Sequence, residues 1–269
     1  MSIPVQTIGE GSPHVAILGG IHGDERSSLL IQHVLEERGV PEGSLHLVGP
    51  VNEAAWRNDT RYIDEDLNRT FPNPDGSTYE SRLARELVDI VEDMDIVIDM
   101  HTFRMTTKLT VVQTKRTELV KYFGPDIVWH IDRGEDYNDE FERTLGLNLA
   151  LNGTDNFVVE LPPVEEISQQ MVDRCINGVY NVITTEHPPR KDIPEYTRFK
   201  FQAPFSGIFM PDHDIMTGVK EGERIGTLFS STTHSEVIRA DEQGVLMQRR
   251  HQSWIERGET IYALGERLN

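Results

Sequence analysis

The sequence predicts an α/β fold: a mostly parallel, twisted sheet with helices on both faces, followed by a small all-β C-terminal domain. Three observations predict it. Up to about residue 184, short apolar runs alternate with helical periodicities, the mark of a parallel sheet covered on both faces. Beyond residue 195 helical periodicity stops and a strand–turn–strand pattern occurs twice. Between them, residues 186–194 carry three prolines in nine positions, which cannot continue a helix and read as a linker. Two domains follow, residues 1–190 and 195–269.

Each element has its own signal. His14–Leu18 is a buried-type strand that ends in Gly19 and Gly20. A helix follows over 25–38, with Leu29, Leu30, Val34 and Leu35 on one face and Gly39 as its stop. Leu45–Val48 is the next strand, and residues 79–93 form a helix carrying Leu83, Leu87, Ile90 and Val91. Residues 95–100 and 156–160 are apolar enough to be strands buried on both faces, and 167–184 is helical again. In the last part, residues 204–209 match 241–246 and 219–225 match 255–261, with Gly207, Gly222, Gly244 and Gly258 marking turns. This near-repeat predicts a quasi-symmetric β-barrel or sandwich, similar to biotinyl/lipoyl-type half-barrels. No lysine occupies a hairpin tip, so an interaction or site-closing role is expected rather than cofactor carriage.

Composition bounds the function. The chain of 269 residues has 45 acidic and 26 basic side chains, a net charge of −19, which argues against nucleic acid as a partner. No apolar run approaches a membrane span and the first residues lack a signal pattern, so the protein is read as cytoplasmic. One cysteine rules out a disulfide framework. The charge is uneven: residues 195–269 hold 11 acidic and 9 basic side chains, a net of −2, leaving −17 for residues 1–194. Only six basic residues are lysine. An ordinary acidic protein would show much of this, but the pattern also fits a halophilic chain whose self-repulsion is screened within about 3 Å at 1 M salt. A halophilic chain should lose thermal stability in dilute buffer; an unchanged melting temperature there would exclude that adaptation.

The chemistry concentrates at strand ends. In Gly19-Gly20-Ile21-His22-Gly23-Asp24-Glu25 a strand hands over to a helix, so His22 and Glu25 face the crevice where open α/β sheets bind ligands. Read blandly, this is a glycine-rich turn with Glu25 favouring a helix N-terminus. His101 closes another strand, and two imidazoles with one carboxylate form the ligand set of catalytic zinc sites, which keep a position for water. Asp99 falls on the same side of that strand as His101, placed to accept the imidazole's other N–H. Glu160 ends a further apolar strand, where burial would keep a carboxylate basic. Arg61, Asn68 and Arg69 stand in Arg61-Tyr-Ile-Asp-Glu-Asp-Leu-Asn-Arg69. A surface ion-pair loop is the plain alternative, but in so acidic a chain an anionic substrate needs local guanidinium forks. His14, His33, His46, His213 and His234 lack ligand partners in sequence, and Cys175 reads as a small buried residue.

These motifs, together with Val158-Val-Glu-Leu-Pro162 and the β-rich C-terminal part, resemble the succinylglutamate desuccinylase/aspartoacylase family of zinc-dependent hydrolases related to metallocarboxypeptidases. The resemblance covers essentially the whole chain. It implies one zinc per chain on His22, Glu25 and His101, with Glu160 as general base and Arg61 polarising the scissile carbonyl. It implies that Asn68 and Arg69 hold an α-carboxylate, and it matches Asn52 to a substrate-binding position, although Glu53 replaces the usual proline. Aspartoacylases proper place an arginine about ten residues before the base, and residues 145–153 contain none, which argues against acetylaspartate as substrate. The expected function is hydrolysis of the amide of an N-acyl amino acid or similar small molecule. The rivals are a zinc carboxypeptidase acting on peptide C-termini and a non-catalytic zinc or acyl-ligand binding module. A homo-oligomer is compatible with all three.

Overall fold

The structure is a computed structural model that describes residues 2–113, 117–131, 141–251 and 253–268. The first part contains β1 (Val5–Gly9), β2 (His14–Gly19), α1 (Ser27–Arg38), β3 (Ser44–Val48), α2 (Glu53–Asn58), α3 (Tyr79–Val91) and β4 (Ile96–Thr102). It continues through β5 (Thr110–Gln113), α4 (Leu119–Phe123), β6 (Ile127–His130), α5 (Leu145–Asn152), β7 (Asp155–Leu161) and α6 (Gln169–Thr184). Single 3-10 turns lie at Leu67–Arg69 and Phe141–Arg143. The linker leads into β8 (Glu195–Gln202), β9 (Gly207–Pro211), β10 (Gly218–Val219), β11 (Arg224–Ser231), β12 (His234–Arg239), β13 (Gly244–Arg249), β14 (Trp254–Ile255) and β15 (Thr260–Arg267).

Helices cover both faces of the sheet. On one face Ile31 and Leu35 of α1, Val120 and Phe123 of α4 and the apolar side of α6 pack on Val15, Ile17, Ile98, Phe157 and Val159. On the other, Leu83, Leu87 and Val91 of α3 and Leu145 and Leu149 of α5 pack on Ala16, Leu18 and Val97. The side chains of Thr78, Thr144 and Ser168 accept from Ser81, Leu147 and Met171 N–H groups and so cap α3, α5 and α6. α1 has no such cap and starts at Ser27 rather than at residue 25; its N-cap is Arg26, whose guanidinium has no acceptor to offer the first-turn N–H groups.

The sheet is mostly parallel in the first part, in four of its six strand pairings, but mixed as a whole. Eleven strands run in the order β1-β3-β2-β4-β7-β5-β6-β8-β15-β13-β10. β3, β2, β4 and β7 are parallel neighbours, but β5 is antiparallel to β7. Only residues 103–109 separate β4 from β5, too few for the crossover of a dozen or more residues that a parallel return requires. β5, β6 and β8 are again parallel, and the outer strands are antiparallel.

All described regular elements after the linker are strands, yet they do not form a sheet of their own alone. β8, β15, β13 and β10 extend the large sheet through the β6–β8 pairing, and β12-β11-β9-β14 make a second, four-stranded sheet. The sequence repeat is visible as an exchange: β9-β10-β11 and β13-β14-β15 are its two copies, with β10 of the first pairing with β13 of the second and β14 of the second with β9 of the first. Gly222 and Gly258, at φ 76° and 86°, make the equivalent left-handed turns before β11 and β15.

Cys175 lies fully buried in α6, and burial pushes its thiol up to about 12. The folded chain should therefore resist thiol alkylation at neutral pH and react once unfolded; stoichiometric labelling of the native protein would contradict the packing.

Candidate metal centre and active-site pocket

β2, β4 and β7 end at the same edge of the sheet, and their ends carry the site. Leaving β2, the backbone turns through Gly20 at φ 70°. At Gly23 a Cβ would lie 2.1 Å from the Ala55 carbonyl carbon, so only glycine lets this loop press against α2 and bring His22 inward. On β4, all of Ile96–Thr102 is buried, which places His101 in the interior. Glu160 of β7 sits beside His101 in the parallel register.

His22, Glu25 and His101 are buried, with one ligand atom from each lying within 4.8 Å of the others. Both imidazoles turn Nδ1 toward Glu25, His22 at 2.6 Å from Oε1 and His101 at 2.9 Å from Oε2. Their Nε2 atoms face second carboxylates, Asp66 at 3.1 Å for His22 and Asp99 at 3.0 Å for His101. Glu25 Oε2 also accepts the Thr102 N–H at 2.9 Å. Burial by itself would raise the Glu25 carboxyl, but the two imidazoles outweigh it and hold it well below the usual carboxylate range. Burial would likewise lower His101, and Asp99 and Glu25 outweigh it to raise the imidazole well above its ordinary value.

Four carboxylates (Glu25, Asp66, Asp99 and Glu160) thus surround two imidazoles and one guanidinium, Arg61. That excess of negative charge, with two nitrogens and an oxygen converging, fits a divalent cation of the zinc type. The set leaves room for a water because it offers three ligands rather than four.

The site opens into a cavity of about 230 Å³ lined by His22, Glu25, His101, Glu160, Arg61, Asn68 and Arg69. Arg61 donates to Asp66 Oδ2 from Nε at 3.0 Å and Nη2 at 2.9 Å, and its Nη1 lies 3.2 Å from Glu25 Oε1. Asn68 Oδ1 accepts the Leu145 N–H at 2.9 Å, which leaves its Nδ2 hydrogens as the donor end. Arg69 donates to the Asn68 carbonyl at 2.7 Å and lies over the Phe141 ring.

Residues 11–185 match the family described as the succinylglutamate desuccinylase/aspartoacylase catalytic domain. The chain belongs to this family. It is 36% identical over 117 residues to the Homo sapiens N-acyl-aromatic-L-amino acid amidohydrolase (carboxylate-forming), covering 37% of this chain and 36% of that protein. The match to form A of the Danio rerio amidohydrolase is 31% over 124 residues and spans 38% of that protein. The chain thus aligns with little more than a third of either relative's length. A longer match, 25% identical over 98% of this chain and 85% of the relative, is to the N-alpha-acetyl-L-2,4-diaminobutyric acid deacetylase of Halomonas elongata. In fold the chain is similar to a succinylglutamate desuccinylase/aspartoacylase from Rhodobacter sphaeroides, at TM-score 0.81, 22% identity, 99% of this chain and 89% of that one. The ectoine utilization protein EutE of Ruegeria pomeroyi shares the fold at TM-score 0.80, 18% identity, 98% of this chain and 88% of that one.

One residue matched to the desuccinylase/aspartoacylase pattern does not reach the cavity. Asn52 is fully buried; its Oδ1 accepts the Ala55 N–H to cap α2, and its Nδ2 donates to Glu80 Oε1 at 2.9 Å. With both ends of its amide engaged, it helps hold the loop after Arg61 through Glu80, which also accepts the Ile63 and Asp64 N–H groups. Conversely, sequence reasoning missed the far wall. Phe103, Trp129 and Phe141 line it with Arg198 and Lys200 of β8. Arg198 is buried, stacks 3.4 Å from the Trp129 ring centroid and donates to Gln248 Oε1 at 3.1 Å. Arg198 and Lys200 alternating with Phe199 and Phe201 in β8 was the available signal, but only the β6–β8 pairing brings them to the pocket.

Asp99→Asn should leave the fold intact and weaken zinc binding by about ten- to a hundredfold, because Asp99 orients and charges the His101 ring. A chelator-competition titration measures this, and an unchanged zinc affinity would detach Asp99 from the centre.

Proposed function

We propose that the chain is a zinc-dependent amidohydrolase that removes the acyl group from an N-acyl amino acid or similar small molecule. The observation that carries this reading is Glu160, a half-buried carboxylate in the same cavity as the His22-Glu25-His101 set and the Asn68-Arg69 pair. Burial first, then the neighbouring Glu25 charge, push it up to about 7, against the pull of His101, Arg198 and His22. A carboxylate near neutrality suits a proton shuttle.

When bound by His22, Glu25 and His101, zinc supplies Lewis acidity for the carbonyl and an acidified water. The chain's own residues do the rest. Asn68 and Arg69 hold the substrate carboxylate and so fix the amide over the site. Glu160 takes a proton as water adds to the carbonyl carbon. Arg61, beside Glu25, meets the negative charge that develops on the carbonyl oxygen; such donors contribute about 2.7–4 kcal/mol in the transition state. Glu160 then passes its proton to the amide nitrogen as the C–N bond breaks, giving a carboxylate and a free amine.

The five basic side chains lining the cavity (Arg61, Arg69, Arg104, Arg198 and Lys200), against Glu25 and Glu160, favour an anionic substrate even in a chain of net charge −19. Strands after the linker bound the cavity: Arg198 and Lys200 stand in its wall, and Thr106 bridges to Arg249 beside it. That enclosure favours a small molecule over a peptide C-terminus.

Glu160→Gln should retain zinc and lose about a hundred- to ten-thousand-fold in kcat, measured as amine released from a panel of N-acyl amino acids. In the wild type the acid limb of kcat/KM should fall at or below pH 7. The base must be deprotonated to act, and a bound cation pulls its value down from about 7. Chelator-insensitive release, or full turnover by the glutamine variant, would refute the mechanism. Release from peptide C-termini alone would move the substrate to the carboxypeptidase reading.

A further inference from the structure

α5 presents its N-terminus to the cavity, where Thr144 and Gly146 stand in the wall with Asn68 and Arg69. The cap residue and the first three residues of an α-helix have no intrahelical acceptor for their N–H groups. Three of these four N–H groups are satisfied here. Thr144 N–H donates to the Phe141 carbonyl at 3.2 Å, Leu145 N–H to Asn68 Oδ1 at 2.9 Å and Leu147 N–H to the Thr144 hydroxyl at 3.4 Å. The fourth, Gly146 N–H, has no acceptor among the described residues. Gly146 has no side chain to stand between this N–H and the cavity. No acid occupies the first turn of α5 to neutralise the positive end of the helix.

Water alone could satisfy a helix end of this kind; Asn68 is what points to a ligand. It is only 9% exposed, it lines the cavity, and its Oδ1 is docked on α5. That bond fixes the amide, and its Nδ2 has no acceptor among the described residues. A buried donor left unpaired is costly, so a pinned Nδ2 marks a place for an acceptor. The bond to Leu145, the neighbour of Gly146, sets the two open donors close together. Arg69, which donates to the Asn68 carbonyl at 2.7 Å, brings a guanidinium to the same part of the wall.

We propose that the Gly146 N–H is a third donor to the substrate carboxylate, joining Asn68 Nδ2 and Arg69. The inference rests on the N-acyl amino acid reading and extends it: the positive end of α5 makes the cavity select the free acid over its neutral amide. A carboxylate has two oxygens and about four lone-pair sites, enough to accept from all three donors, and its charge gains from the helix terminus. A carboxamide offers one acceptor oxygen, turns its own N–H groups toward the remaining donors and carries no charge.

The test measures equilibrium binding to the zinc-loaded full chain carrying Glu160→Gln, with a panel of N-acyl amino acids and the matching N-acyl amino acid amides as ligands. The acids should bind more tightly than the amides. Adding Gly146→Pro deletes the N–H in a first turn, where proline is tolerated, and should cut that preference about tenfold by weakening the acids alone. No preference in the parent, or a preference undiminished by Gly146→Pro, would overturn the proposal. Should the proline variant fail to fold, the parent isotope-labelled at glycine nitrogen decides. Its Gly146 amide resonance, identified by its absence from Gly146→Ala, must move downfield with acids and stay in place with amides. An unmoved resonance, or an equal shift with both, would exclude the contact. The hydrolase reading is judged separately: a wild type that binds acids through Gly146 yet releases no amine keeps this carboxylate site and refutes the deacylase.

Discussion

The structure around the site is organised by one electrostatic constraint: a buried carboxylate, Glu25, with three further acids close by at the edge where β2, β4 and β7 end. Burying an uncompensated carboxylate costs several kcal/mol. In the structure two imidazoles, the Thr102 N–H and the Arg61 guanidinium share that compensation. Asp99 and Glu25 raise His101, so a cation held through that imidazole would displace its proton, and metal affinity at these residues would depend on pH.

Much of the surrounding architecture serves this cluster. Gly23 exists because α2 must approach the His22 loop closely, and Asn52 and Glu80 together hold the loop between α2 and Leu67, Glu80 by accepting the Asn52 amide and the Ile63, Asp64 and Glu65 N–H groups. α1 begins without a side-chain cap because Arg26, a donor-only side chain, follows Glu25 at its cap position. These are local departures from the stability rules of helices and turns, and they gather where chemistry is proposed.

What the sequence made legible follows from the same logic. His22, Glu25, His101 and Glu160 were readable because each sits at the end of an apolar run, and a parallel sheet aligns such ends. Asp99 was readable from the two-residue period of a strand. Asn52 was misplaced because a motif position does not say which way an amide points; the capping of α2 decides that. The antiparallel β5 was missed because its direction depends on a short connection rather than on its own residues. Arg198 and Lys200 were invisible for a longer-range reason: they reach the pocket only through the pairing of β6 with β8 across the linker.

That pairing also explains why the part after the linker is more than an appendage. By continuing the large sheet, β8 carries the buried Arg198 to Trp129, and its stacking on that ring fixes a positive charge opposite the Asn68-Arg69 pair. The partner strands β15 and β13 hold β8 in register, and Gln248 of β13 holds the guanidinium itself. The repeat exchanges β10 and β14 between its two copies, which ties the four-stranded sheet to the same scaffold. A pocket wall built this way is only as rigid as the sheet behind it.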